Sequence, residues 1–218
     1  MKQNHTDITI VLDRSGSMAS VAADTIGGFN QFLADQRKIE GSAAITLHQF
    51  DNEFETVIKA QDIQTAPNLT TTTFVPRGNT ALFDAIGRAI IDTDTRIEST
   101  PENGRPEKVV FVIVTDGHEN ASKEYDRPKV FEMLTHQREK YAWEFVFLGA
   151  NQDAIKTAAG LGVSGSNSMT YAGNRVGTAA AVAAVSANLG SLRTNRVKSM
   201  AFTDADREMQ AKAGVKAK

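Results

Sequence analysis

Cysteine is absent from the chain. That excludes a disulfide framework, a thiolate zinc site, an iron–sulfur cluster and a cysteine nucleophile, and it fits a reducing compartment. No apolar run approaches the ~20 residues of a membrane-spanning helix. The first residues, Met1 to Asp7, are polar and show no secretory signal, so the expected setting is cytoplasmic. Neither sign of charge dominates: 24 Lys and Arg face 26 Asp and Glu, a net charge of −2. This is no footprint for nucleic acid, and neither nucleic acid nor a membrane is expected as a partner. What is present suits a soluble globular protein. The 218 residues are 41% hydrophobic and 23% charged, enough to bury a core without staples.

The charge is uneven along the chain. From Arg193 onward seven basic residues accompany three acidic ones, so this stretch is +4 and the rest −6. The expectation is one domain over residues 1–192 and a basic, solvated and frayed C-terminal tail over 193–218, with a weak anionic contact as the alternative.

Along the chain, strands and helices alternate. Thr6–Leu12 is a β-branched run that reads as a buried strand. The small polar loop Asp13–Met18 follows, then a helical period over Val21–Ile39, weakened by Gly27–Gly28. Ala43–Phe50 and Phe54–Ala60, with only Asp51–Asn52–Glu53 between them, predict an antiparallel hairpin. Gln61–Gly78 reads as an extended loop and Ala81–Asp94 as a helix, capped by Thr80 or Asn79. Val109–Val114 is the most apolar strand and is expected at the centre. Helices are predicted over Pro128–Lys140, Ala154–Leu161 and Arg175–Leu192, and strands over Trp143–Leu148 and Ser166–Thr170. This order implies a mostly parallel sheet covered on both faces. In such folds ligands lie beyond the carboxyl ends of the strands.

Three loops at that rim carry hard oxygen groups. The first offers Asp13, Ser15 and Ser17 in the spacing D-x-S-x-S, the second Thr80, the third Asp116. Carboxylate and hydroxyl oxygens suit Mg²⁺, Mn²⁺ or Ca²⁺ rather than softer metals. Neutral hydroxyl ligands leave such an ion electrophilic, ready for one further anionic oxygen.

On these segments the chain resembles the von Willebrand factor type A domain family. ITIVLDRSGSM, GNTALFDAIG and VVFVIVTDGHEN are similar to family segments and stand in the family's order. The likeness covers roughly residues 6–192. It implies a doubly wound α/β sheet, six-stranded and of order 3-2-1-4-5-6, with one antiparallel edge strand and helices on both faces. It also implies a metal-ion-dependent adhesion site in which Ser15, Ser17 and Thr80 bind the ion directly, and Asp13 and Asp116 directly or through water. FLGANQDA (Phe147–Ala154) and FTDADR (Phe202–Arg207) resemble free-standing cytoplasmic bacterial or phage members.

Other chemistries fit less well. The nucleophile-elbow pattern G-x-S-x-G is missing around Ser15 and Ser17, and Ser15 stands where an aspartyl-phosphate phosphatase needs its second aspartate. No phosphate-binding G-x-x-x-x-G-K-[ST] loop occurs, and Gly16 lies in no G-x-G-x-x-G context. His118, Glu119 and Asn120 are candidate rim contacts, although plain solvation accounts for them as well. Asp84, one helical turn past Thr80, is either a support for the site or ordinary helix-start electrostatics. Thr70–Thr73 reads as a flexible polar loop. The expected function is a non-enzymatic protein-binding module, with the ion bridging the chain to a partner's Glu or Asp. The alternatives are a structural subunit of a phage particle or other large assembly, and, behind it, a metal-dependent hydrolase.

Overall fold

The structure is a computed structural model and describes residues 1–150 and 153–215. Asn151 and Gln152, within the FLGANQDA segment, and Lys216 and Lys218, counted in the basic tail, lie outside the described residues. Six strands form one sheet: β1 (Lys2–Asp13), β2 (Ser42–Phe50), β3 (Phe54–Asp62), β4 (Pro106–Thr115), β5 (Glu144–Ala150) and β6 (Ser168–Tyr171). Their order is β3-β2-β1-β4-β5-β6, parallel throughout except for the β2–β3 hairpin. Six helices cover it: α1 (Ala22–Gln36), α2 (Leu82–Ser99), α3 (Arg127–Tyr141), α4 (Ala154–Ala159), α5 (Arg175–Arg193) and α6 (Asp204–Lys212).

The strands are apolar on both sides because both sides are buried. Ile8, Ile10 and Leu12 of β1 face a layer containing Phe29, Phe32 and Leu33 of α1 and Val185 and Leu189 of α5. Val11, Phe111 and Ile113 face the other layer, with Ile86 and Ile90 of α2 and Val130 and Leu134 of α3. Burying each such side chain stabilises the fold by about 1.5–3 kcal/mol. The registers Asp13↔Phe50 and Thr115↔Gly149 bring the carboxyl ends of the central strands to one rim.

Four local expectations need correction. The helix expected from Val21 begins as a 3-10 turn over Gly16–Val21 and becomes α-helical at Ala22. Gly28 is accommodated there because α5 approaches closely: a Cβ on it would lie 2.9 Å from Val182 Cγ2. Neither Thr80 nor Asn79 caps α2, whose N-cap is Ala81 with no side-chain cap. The loop after β3 is pinned rather than loosely extended. It buries Ile63, Leu69 and Phe74, Arg37 donates to the carbonyls of Ile63 and Ala66, and Asn30 bonds Leu69 through both amide ends.

The fourth correction concerns residues 194–215, which are docked on the domain rather than frayed. Met200 and Phe202 join the core, and α6 follows behind a Thr203–Asp206 capping box. Arg207 donates to the carbonyls of Ser168 and Gly165. Buried Gln210 accepts from the Ala172 N–H and donates to the Gly177 carbonyl. Charge and polarity hid this, because only two large apolar residues anchor the segment. Polar side chains aimed at backbone groups do the rest.

Candidate metal centre

Asp13, Ser15, Ser17, Thr80 and Asp116 lie at one rim of the sheet. Asp13 ends β1 with its side chain fully buried. Its Oδ1 accepts the Ser15 N–H at 2.6 Å, which turns the chain sharply after the strand. Its Oδ2 accepts the Thr115 hydroxyl at 2.6 Å, tying the ends of β1 and β4 together. Ser15 Oγ and Ser17 Oγ lie 3.1 Å apart, and Ser17 Oγ donates to Asp116 Oδ1 at 2.5 Å. Gly117 borders the remaining donor: a Cβ there would fall 2.7 Å from Thr80 Oγ1 and 3.6 Å from Asp13 Oδ2. The space between Thr80 and Asp13 is thus one that only glycine leaves open.

The second and third loops hold each other. The Thr80 N–H donates to Asn120 Oδ1 and the Asn120 N–H to the Thr80 carbonyl. Glu119 accepts from the N–H groups of Phe83, Ala121 and Ser122, so one carboxylate serves both the first turn of α2 and the third loop. Asp84 accepts from the N–H groups of Lys123, Glu124 and Tyr125. Asp84 therefore supports the site indirectly, by fixing the loop that follows Asp116. Glu119 and Asn120 are organisers of that loop rather than rim contacts. His118 stands exposed on the rim. The Thr70–Thr73 segment is exposed and closes on itself through hydroxyl hydrogen bonds.

The first loop is held from the side that sequence reading left unexamined. Arg14, at the first unspecified position of D-x-S-x-S, is buried and donates through Nε to Asp51 Oδ2 at 3.0 Å. Asp51, in the β2–β3 turn, also accepts Arg77 Nε at 2.8 Å on the same oxygen. Its Oδ1 takes the Glu53 N–H. Burial alone would raise the Asp51 carboxyl, but the Arg77 hydrogen bond, the Glu53 N–H and the charges of Arg14 and Arg77 together hold it below the usual carboxylate range. The only sequence signal for this residue was its place in a tight turn.

Electrostatically the rim favours a cation. Burial pushes the Asp13 carboxyl above its ordinary value, against hydrogen bonds from Thr115 and Ser15, and the Asp116 charge adds to the rise. Burial likewise raises Asp116, against its hydrogen bond from Ser17. Two desolvated carboxylates beside three hydroxyls form a donor set with a deficit of positive charge, which a hard divalent ion would relieve. Among the described residues no cluster of three or more His, Cys, Asp and Glu is placed to hold a metal. A centre here therefore depends on Ser15, Ser17 and Thr80 as well as on the two aspartates, and the residues fit that role.

The fold has solved counterparts. The pilus adhesin SpaC of Lactobacillus rhamnosus GG, in an open conformation, superimposes with a TM-score of 0.65 at 14% identity, over 88% of this chain and 30% of that one. The von Willebrand factor domain of the type V pili tip protein Mfa5 of Porphyromonas gingivalis gives 0.59 at 10% identity, over 91% and 98%. Proximal thread matrix protein 1 of the mussel byssus gives 0.58 at 15% identity, over 88% and 47%; solved with zinc in its adhesion-site motif, it gives 0.52 at 16%, over 78% and 42%. This chain thus spans about half of the mussel protein and less than a third of SpaC. At such identities the likeness extends to the fold alone. No curated protein sequence matches the chain. The family profile described as von Willebrand factor type A domain matches residues 7–171. That match covers most of the chain and all three loops of the centre, and the chain belongs to the von Willebrand factor type A domain family.

Proposed function

We propose that the chain is a metal-dependent protein-binding module, in which a divalent cation held by Ser15, Ser17, Thr80, Asp13 and Asp116 receives a Glu or Asp carboxylate of a partner. The observation that carries this reading is the convergence of these five oxygen donors from three separate loops, two of them carboxylates raised by burial. Bound there, the ion would supply an electrophilic position left partly unneutralised by the hydroxyl ligands. The protein's own part is to hold the donors still: Thr115 orients Asp13, Ser17 orients Asp116, and Asn120 orients the backbone of Thr80. A partner carboxylate brought to this rim without a cation would meet two acids, buried Asp13 and half-buried Asp116, a repulsion and desolvation penalty of several kcal/mol. Metal therefore acts as the switch for binding. Mg²⁺ is the first candidate, with Mn²⁺ and Ca²⁺ behind it. The mussel protein solved with zinc in its motif supports a divalent ion in this class of site without fixing which.

The test is calorimetric titration of the purified chain with MgCl2, MnCl2 and CaCl2, alongside Asp13→Ala and Thr80→Ala. Selection of displayed peptides in Mg²⁺ and in EDTA follows. The reading expects saturable metal binding lost in both variants, and metal-dependent selection of peptides that share an Asp or Glu. No metal binding by the wild type, or the same peptides selected in EDTA, overturns it.

A further inference from the structure

We propose that Asp51, outside the donor set, is the positioning residue that brings the first and second metal loops into register. The inference rests on the metal-binding reading above and deepens it. The β2–β3 turn makes contact with both loops at once. Asp51 Oδ2 accepts Arg14 Nε at 3.0 Å from the first loop and Arg77 Nε at 2.8 Å from the second. The Asp51 carbonyl accepts the Ala81 N–H at 3.1 Å, one residue past Thr80. Asn52 Oδ1 accepts the Asn79 N–H at 2.7 Å, one residue before Thr80. Thr80 is thus bracketed on both sides by bonds to this one turn.

The two loops also touch directly, in a way the Asp51 carboxylate sets. The Arg77 N–H donates to the Arg14 carbonyl at 2.8 Å, and the Gly16 N–H to the Gly78 carbonyl at 3.1 Å. Gly78 has φ +65°, and a Cβ on it would lie 2.3 Å from Asn52 Oδ1, so the loop passes the turn at the distance only glycine permits. Two guanidinium groups drawn to one carboxylate oxygen hold these backbone contacts in place, because each arginine is anchored at its head by Asp51 and at its main chain by the opposite loop. Asp51 and Arg14 are both buried, so that arm is little screened, whereas the half-exposed Arg77 arm is weakened by solvent. Without the carboxylate, Arg14 would keep only the exposed Glu55 and Arg77 only the exposed Glu53, and the two cations, left without their shared buried partner, would repel each other and part the loops that carry Ser15, Ser17 and Thr80.

The test measures Mn²⁺ and Mg²⁺ affinity calorimetrically, at a temperature where every variant is folded, together with the melting temperature in EDTA. Asp51→Asn keeps the turn's shape and removes the charge. Arg77→Gln breaks one arm from a residue that is half exposed. Glu53→Gln removes the solvent-side partner of Arg77 and serves as the control. Loss of a group that orients metal ligands weakens affinity by about 10- to 100-fold. That range is expected for Asp51→Asn, about tenfold for Arg77→Gln with partial rescue in Arg77→Lys, and under about fivefold for Glu53→Gln. Wild-type affinity in Asp51→Asn and Arg77→Gln, with only the melting temperature lowered, overturns the proposal and leaves the metal site standing. A wild type that binds neither ion overturns the metal-binding reading, and this inference with it.

Discussion

Ser17 donates its hydroxyl hydrogen to Asp116 Oδ1 at 2.5 Å, across 99 residues of chain. This contact joins the loop after β1 to the loop after β4. It also lends a hydroxyl to a carboxylate that burial disfavours.

That relief is incomplete, and the shortfall has a sign. The carboxyl of Asp13 is raised in the folded chain by burial, with Asp116 adding to the rise. Its favourable contribution is therefore present below the unfolded value and lost as pH rises through the folded one. At neutral pH the metal-free protein carries an unfavourable charge there. Asp13→Asn is expected to melt above the wild type in EDTA at pH 7, with the gap narrowing as pH falls toward 4, and to gain nothing from Mg²⁺. Scanning calorimetry of both proteins across that range checks this; an Asp13→Asn melting point below wild type at pH 7 would count against it.

His48 predicts the opposite slope. Its ring is fully buried in β2, stacked on Phe54 with centroids 4.7 Å apart, and burial lowers it from 6.5 to about 4. Nδ1 meets the Thr56 hydroxyl at 3.0 Å, and Nε2 has no partner among the described residues, so a second proton there would have no acceptor. The neutral ring's contribution is complete above pH 6.5 and lost as pH falls toward about 4, amounting to about 3 kcal/mol at most. In an NMR titration the His48 ring signals are expected to stay fixed from pH 8 to 5. Movement centred near 6.5 would contradict it.

Gln210 offers a test of the chain beyond α5. Its amide accepts from Ala172 N–H at 3.1 Å and donates to the Gly177 carbonyl at 3.0 Å, both in buried surroundings. Gln210→Ala strands both groups and is expected to destabilise the fold by about 1–3 kcal/mol in urea unfolding. A change within about 0.5 kcal/mol would instead mean that water reaches these groups as it reaches a frayed tail.

Much of this was legible because it is written locally. The strand cores announce themselves in TDITIVL and VVFVIV, and the five donors lie in three short segments at strand ends. What escaped depends on pairs far apart in sequence. Asp51 reads as one polar residue of a turn until Arg14 and Arg77, 37 and 26 residues away, are seen on the same oxygen. Asp84 and Glu119 read as helix-start and rim charges, yet each spends its carboxylate on backbone N–H groups across loops. The tail fell on the other side of the line. Thr203 and Asp206 carry a capping-box spacing that local reading can find, but nothing local says where the helix docks.

The docking of that last helix bears on self-association. β6 ends the sheet, and a terminal strand offers its backbone as a template for another chain. Here Arg207 occupies the Ser168 carbonyl and Gln210 the Ala172 N–H just beyond the strand. Two backbone groups at the ends of this border, which another strand could otherwise use, are thus taken up from within the molecule. A truncation before Thr203 would free both groups and favour pairing of this edge with a second copy.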